Sequence, residues 1–184
     1  MKILLYHGTT DESLESILAQ KRFKQSEGIK HYLGKGLYFY DDFNHARVWA
    51  VMKAKRFGSQ PAVIQCLIDV PEEYCLDLDH RAEQDFFFKE RNKYIRRIRQ
   101  KRLEVKAYTD SNFCDFIAKR LSIKLISKTF VYVHPKERQI RYVFSNEKID
   151  PFDVTRIYRT EKQYCIKDQR IITDIREIKM LRGR

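Results

Sequence analysis

Apolar positions fall in short separate blocks along this 184-residue chain, and their spacing changes character partway. KILLYH (residues 2–7) is a nearly continuous apolar run ending on a histidine, which predicts a buried strand. Leu14, Ile17 and Leu18 then repeat at helical spacing behind Asp11, predicting a helix over residues 12–20 with Asp11 as its cap. Residues 21–35 are polar and loop-like. GLYFY (36–40) reads as a second strand, after which Asp41 or Asp42 caps a helix over residues 43–56. AVIQCLIDV (62–70) is a third strand, closed by Pro71. Residues 82–121 are mainly helical, with Ser111 as the cap of FCDFIAKRL. From Thr129 the pattern turns to strands: TFVYVH, QIRYVF, VTRIYRT, QYCIKD and RIITDI.

Strands and helices therefore alternate early, while the end is all strand. A parallel βαβ winding needs helices between the later strands, and the pattern supplies none. The predicted class is α+β, with the N-terminal and C-terminal strands sharing one core. The length suits a single domain over residues 1–184. No apolar run reaches the roughly 20 residues that span a bilayer, and MKILLYHGTT lacks the form of a cleavable signal. These features predict a cytoplasmic protein with no membrane association.

Charge changes the picture. There are 37 Lys+Arg against 25 Asp+Glu, a net +12. The excess is uneven: +1 over residues 1–50, −3 over 51–88, +7 in the short stretch 89–106 and +7 in the remainder. In 89–106 the acids are too few for i,i+4 pairing. Tyr94, Ile95 and Ile98 are interleaved with the cations, so one side of a helix can dock while Arg96, Arg97, Arg99, Lys101 and Arg102 face outward. Such a stripe is either a solvated face or a phosphate-binding one, and the latter makes nucleic acid, RNA above all, a partner. Cys66, Cys75, Cys114 and Cys165 form no C-x-x-C pair and read as reduced core thiols. The five histidines include no H-x-x-x-H pair, so no metal is expected. Walker and GxGxxG loops are missing too.

Three pieces remain that carry chemistry: YHGTT (6–10), LGKGLYFYDD (33–42) continuing into HARVWA (45–50), and EKQYCIKD (161–168). His7 ends an apolar strand, which sets its imidazole at the rim of the core, and Gly8 lets backbone groups approach a flat ligand closely. Tyr38 on a strand and Trp49 on the following helix are two aromatic faces that can flank one slot or simply pack in the core. Ala46 and Ala50 lie beside Trp49 at helical spacing and leave space there.

This set resembles the ADP-ribosyltransferase superfamily, in its diphtheria-toxin and poly(ADP-ribose)-polymerase branch named for a His-Tyr-Glu triad. The pattern from Asp42 to Ala50 is similar to that of short bacterial members. The resemblance implies a split β-sheet core with flanking helices and a basic helical insertion at 82–121. It implies NAD as substrate, with His7 on the ribose, Gly8 and Thr9 near the carboxamide, Gly36 and Tyr38 on the second strand, and Trp49 stacking. Ala46 stands where the polymerases carry a serine. The family's glutamate falls on Gln163 in this register, with Glu161 two residues earlier on the same strand face; either Gln163 substitutes as a neutral group or Glu161 supplies the charge. Lys30, Lys35 and Arg47 flank the motifs as candidates for the pyrophosphate.

The function implied is NAD-dependent mono-ADP-ribosylation of nucleic acid, RNA favoured, by a toxin of a toxin–antitoxin or antiviral-defence system, with a cognate antitoxin as partner. Three alternatives stay open: transfer to a protein side chain, an RNA 2′-phosphotransferase, and a catalytically silent RNA-binding module of the same fold.

Overall fold

The computed structural model describes residues 1–26, 31–101, 109–132 and 159–178. The first apolar run forms strand β1 (Lys2–Thr10), three residues longer than expected because Gly8, Thr9 and Thr10 continue the extended backbone. Helix α1 (Asp11–Gln20) follows at once. Its cap is Thr10 rather than Asp11. Thr10 is the last extended residue, and its hydroxyl accepts from the Ser13 N–H, while Asp11 Oδ1 accepts from the Gln60 N–H at 3.2 Å.

Strand β2 (Leu37–Tyr40) leads into helix α2 (Phe43–Phe57). Asp42 caps α2, accepting from the Asn44 N–H at 2.6 Å, and Gly58 stops it in the left-handed region with φ 68°. Strand β3 (Pro61–Asp69) and the short β4 (Cys75–Asp77) precede helices α3 (Arg81–Gln100) and α4 (Asp110–Leu121). Thr109 caps α4, where Ser111 was expected: Thr109 is the extended residue, and Ser111 already lies in the first turn. Strands β5 (Leu125–Tyr132), β6 (Arg159–Ile166) and β7 (Ile172–Ile178) complete the order. β5 begins four residues before the expected Thr129, because Leu125 and Ile126 are pulled into the core. QIRYVF, most of VTRIYRT and the end of TFVYVH lie outside the described residues.

The protein is a mixed α/β structure around one seven-stranded sheet in the order β4-β5-β6-β2-β1-β3-β7. Only β4–β5 is parallel. The C-terminal strands do interleave with the N-terminal ones: β6 pairs β2, and β7 pairs β3. Among the described residues no helix is long and apolar enough to cross a membrane.

The two sheet faces are covered differently. On one, α1 and Phe23 pack a continuous core of Leu5, Leu37, Phe39, Ile64, Cys66 and Ile166. On the other, two separate clusters form. Phe87 of α3 and Phe113, Cys114 and Ile117 of α4 cover Leu76, Ile126 and Cys165, while Ala46 and Ala50 of α2 cover Tyr40 and Val63. Helix α4 is thus part of the core, not an appended piece. Burying each of these large apolar side chains contributes about 1.5–3 kcal/mol. All four cysteines are free, three of them buried.

Candidate functional site: a fork between the central strands

β1 and β2 are neighbours in the middle of the sheet, yet their ladder holds one residue pair, Tyr6 with Tyr40. On its other side β1 pairs β3 along its whole length, from Lys2 with Asp69 to Thr10 with Pro61. β2 likewise pairs β6 throughout. Each strand is therefore held by its outer neighbour while the inner edges part after Tyr6, and His7–Thr10 carry no ladder partner on the β2 side. An unpaired strand edge presents backbone N–H and C=O groups to whatever enters the gap.

His7 sits where the strands part. Its Nδ1 lies 2.8 Å from the Tyr38 carbonyl oxygen. A carbonyl only accepts, so Nδ1 carries the proton and Nε2 keeps its lone pair. Phe23 and Phe39 flank the ring at 5.5 and 5.2 Å. Burial, with the Lys53 charge adding to it against the Tyr38 hydrogen bond, holds His7 down at about 4. His7 is accordingly neutral near pH 7, and its Nε2 has no protein partner among the described residues. It can accept a hydrogen bond from a hydroxyl.

Tyr38 meets His7 only through its main chain. Its ring points to the opposite side of the sheet, packed beside the α4 cluster. One ring face is taken by His31, stacked at 4.7 Å and 29°. The phenol donates to the Gly34 carbonyl at 2.7 Å and accepts from the Leu33 N–H at 3.1 Å. Lys167 Nζ donates to the Leu33 and Lys35 carbonyls at 2.6 and 2.8 Å and to Asp115 Oδ1 at 2.8 Å. Asp115 in turn accepts from the Lys35 N–H. Gly34 adopts φ 84°, and a Cβ there would strike the Asp115 carboxylate. The loop before β2 is pinned from both ends.

The remaining sequence candidates are not brought into one slot. A Cβ on Gly8 would overlap the Ala46 carbonyl oxygen and lie 2.9 Å from the Ala50 nitrogen. Gly8, Ala46 and Ala50 thus let α2 lie directly on β1; the space expected beside the alanines is filled by the strand itself. A Cβ on Gly36 would come within 2.5 Å of Cys165 Sγ, so only glycine fits there. Thr9 is fully buried, its hydroxyl accepting from Lys53 Nζ at 3.3 Å. Trp49 stands out on α2 with 42% of its surface exposed, next to exposed Val48 and Met52. Arg47 is exposed, and Lys30 lies outside the described residues.

On β6, Gln163 is level with Tyr40 and Cys165 with Tyr38. Glu161, Gln163 and Tyr38 therefore share one sheet face, with Gln163 displaced about 7 Å along the strand from the Tyr38 level. The Gln163 amide donates to Glu161 Oε1 at 2.5 Å. Burial, then the Glu161 charge, pushes the Tyr40 phenol far up. The two candidates for one position are hydrogen-bonded to each other, leaving the Gln163 carbonyl oxygen as an acceptor.

The basic stretch forms the outer part of α3. Arg96, Arg97, Arg99 and Lys101 are exposed and make no ion pair with a described residue, while Tyr94 packs on Phe113 and Phe116. Ile95 and Ile98 are partly covered. Arg102 lies outside the described residues. Nearer the body, the charges are paired, Glu90 taking both Lys93 and Arg120.

Sequence reasoning missed Lys53, His31, Asp115 and Lys167. Lys53 falls four residues after Trp49, on the same side of α2, but nothing in its neighbourhood sets it apart from the other cations. Asp115 and Lys167 are 52 residues apart and meet only in the fold.

No family model matches the chain, and no solved structure matches it. Over 95 residues it is 34% identical to an uncharacterized protein of Methanocaldococcus jannaschii. That stretch covers 48% of this chain and 44% of the archaeal protein, so the chain spans less than half the length of the relative it matches.

Proposed function

We propose that the chain is an NAD-dependent mono-ADP-ribosyltransferase of the split-sheet type, acting on nucleic acid, RNA in preference. The observation that carries this reading is the fork: an unpaired β1 edge at His7–Thr10 facing β2 beside a neutral histidine whose Nε2 is free to accept. A carboxamide is recognised by one N–H and one C=O, which such an edge offers at Gly8. A ribose hydroxyl donates to His7 Nε2. The third role of the resemblance falls to the Gln163–Glu161 pair, hydrogen-bonded at the closed end of the fork on the Tyr38 face and opposite the His7 ring, so in this reading the ligand has to reach both faces for the Glu161 charge to act on it.

In the reaction the C1′–N bond to nicotinamide breaks, and nicotinamide leaves with the bonding pair. A nucleophilic oxygen or nitrogen of the acceptor bonds to C1′ and loses its proton to Glu161 or water. Tyr38 offers a stacking face only if His31 leaves it or serves as the opposite wall, and His31→Ala separates these: NAD binding tightens in the first case and weakens in the second. The exposed Arg96, Arg97, Arg99 and Lys101 favour a polyanionic acceptor.

Incubation with NAD labelled in its adenylate half, followed by mass spectrometry of RNA, DNA and protein, tests the reading. Labelled nucleic acid, reduced about 100-fold or more by His7→Ala, is the expected result. Label on protein alone moves the acceptor to a side chain. Nicotinamide release by no preparation, or transfer that survives His7→Ala, overturns the assignment of the fork.

A further inference from the structure

We infer that Lys53, anchored on the buried Thr9, forms an anion subsite at the open end of the fork, built to take the diphosphate of a nucleotide. Lys53 belongs to α2, on the sheet face that Gly8 turns toward Ala46. Thr9 is the next residue of β1, and alternation along a strand sends its side chain the other way. The Lys53 ammonium nevertheless reaches Thr9 Oγ1 at 3.3 Å, which requires it to pass the β1 edge that β2 has vacated. It therefore lies in the gap itself and not on the outer surface of α2.

Two features mark this lysine among the cations near the motifs. It is partly buried, where the other basic residues of α2, Arg47, Lys55 and Arg56, are exposed. It also forms no ion pair with a described carboxylate. A partly desolvated ammonium normally has a counter-charge, because removing it from water without one is unfavourable. Thr9 uses one of its three N–H donors. The two that remain and the N–H groups of the β1 edge that face the gap make a donor-rich pocket with one positive charge, while the fully buried Thr9 anchors the ammonium from behind. Phosphate oxygens, which only accept, are the matching chemistry. Lys35 and Arg47, which flank the motifs in sequence, are both exposed, and neither is bonded to Thr9 as Lys53 is.

This subsite rests on the reading of the fork as an NAD site only for the identity of its ligand, and the test separates the two. Calorimetric titration of the full chain with pyrophosphate, ADP-ribose and nicotinamide is compared for the wild type, Lys53→Met and Lys53→Arg. Lys53→Met is expected to weaken pyrophosphate and ADP-ribose by about 10–100-fold, the worth of charge-assisted hydrogen bonds, and to leave nicotinamide unchanged. Lys53→Arg restores most of the loss, which a purely structural role for the side chain does not predict. Equal ADP-ribose affinity in wild type and Lys53→Met overturns the subsite while leaving the NAD reading intact. Lys53-dependent pyrophosphate binding without nicotinamide binding keeps the subsite and removes NAD as its ligand. A wild type that binds none of the three overturns both.

Discussion

The fork and the outer part of α3 hold the same kind of side chain in opposite circumstances. In the fork one described ammonium, Lys53, is partly buried against Thr9 and makes no ion pair with a described carboxylate. On α3, Arg96, Arg97 and Arg99 stand exposed, and Tyr94 attaches the helix to the body. Screening over about 8–10 Å makes the α3 charges a diffuse field, suited to drawing in a polyanion and indifferent to its detail. Desolvation makes the one in the fork specific. Total charge thus says little about chemistry; burial decides which cations discriminate among ligands and which only attract them.

The largest expected effect breaks the scaffold under the fork. In Gly8→Val the new side chain collides with the Ala46 carbonyl and the Ala50 nitrogen, both helix backbone that cannot move aside. A loss above about 3 kcal/mol follows, since α2 must lift off β1; thermal unfolding should show a collapsed or absent transition. Arg96→Gln combined with changes at Arg97 and Arg99 should leave the melting temperature where it was.

Lys167→Ala comes next. It strips donors from the Leu33 and Lys35 carbonyls and from Asp115 at a side chain only 10% exposed. A loss of about 2–4 kcal/mol is expected. Hydrogen exchange at Leu33–Gly36 should speed up well before exchange in β3, because Lys167 acts on the loop and not on the sheet. Uniform loosening of the whole chain would contradict that division.

Acid sharpens the comparison from another side. His7 lies at about 4 in the folded protein against 6.5 for a free histidine, so the unfolded chain binds the extra proton first. Stability from this group is complete above pH 6.5 and is lost as the pH falls toward 4, to about 2–3 kcal/mol. Burial lowers His31 in the same direction. Denaturant midpoints measured at pH 4.5 and pH 7 should differ less in His7→Asn than in the wild type. An equal difference would mean that His7 is not the group responsible.

The smallest effect on the fold, and the one that isolates the outer face, is the triple change of Arg96, Arg97 and Arg99 to Gln. Stability should shift by no more than about 0.5 kcal/mol, while the slope of log affinity for single-stranded RNA against log salt falls by about 2. An unchanged slope would make this face a solvated surface and nothing more.

Elements were legible where their signal is local. The apolar runs of β1 and β3 and the capping oxygens at Asp41 and Asp42 are local signals, and each element appears where its pattern indicates. The caps of α1 and α4 were displaced by one or two residues, because Thr10 and Asp11, like Thr109 and Ser111, offer competing oxygens and only the path of the chain chooses between them. The start of β5 was hidden because Leu125 and Ile126 follow a helix end without a turn signal. For the site, His7 and Tyr38 were visible as residues, but not that their rings lie on opposite faces and meet through one carbonyl. Glu161 and Gln163 were visible as alternatives for one position, but not that they are hydrogen-bonded to each other.

By itself the amino-acid order determined which stretches could be strand or helix, which residue types were available for chemistry, and where the surplus charge would gather. These depend on spacing within a dozen residues and on simple counting. Only the tertiary structure decided that β1 and β2 part after one pair, that the space beside Ala46 belongs to Gly8, and that Lys53 of α2 bonds to Thr9 of β1. The reason is that strand separation, close packing and desolvation are properties of surfaces meeting from distant parts of the chain, and no local pattern encodes which two surfaces will meet.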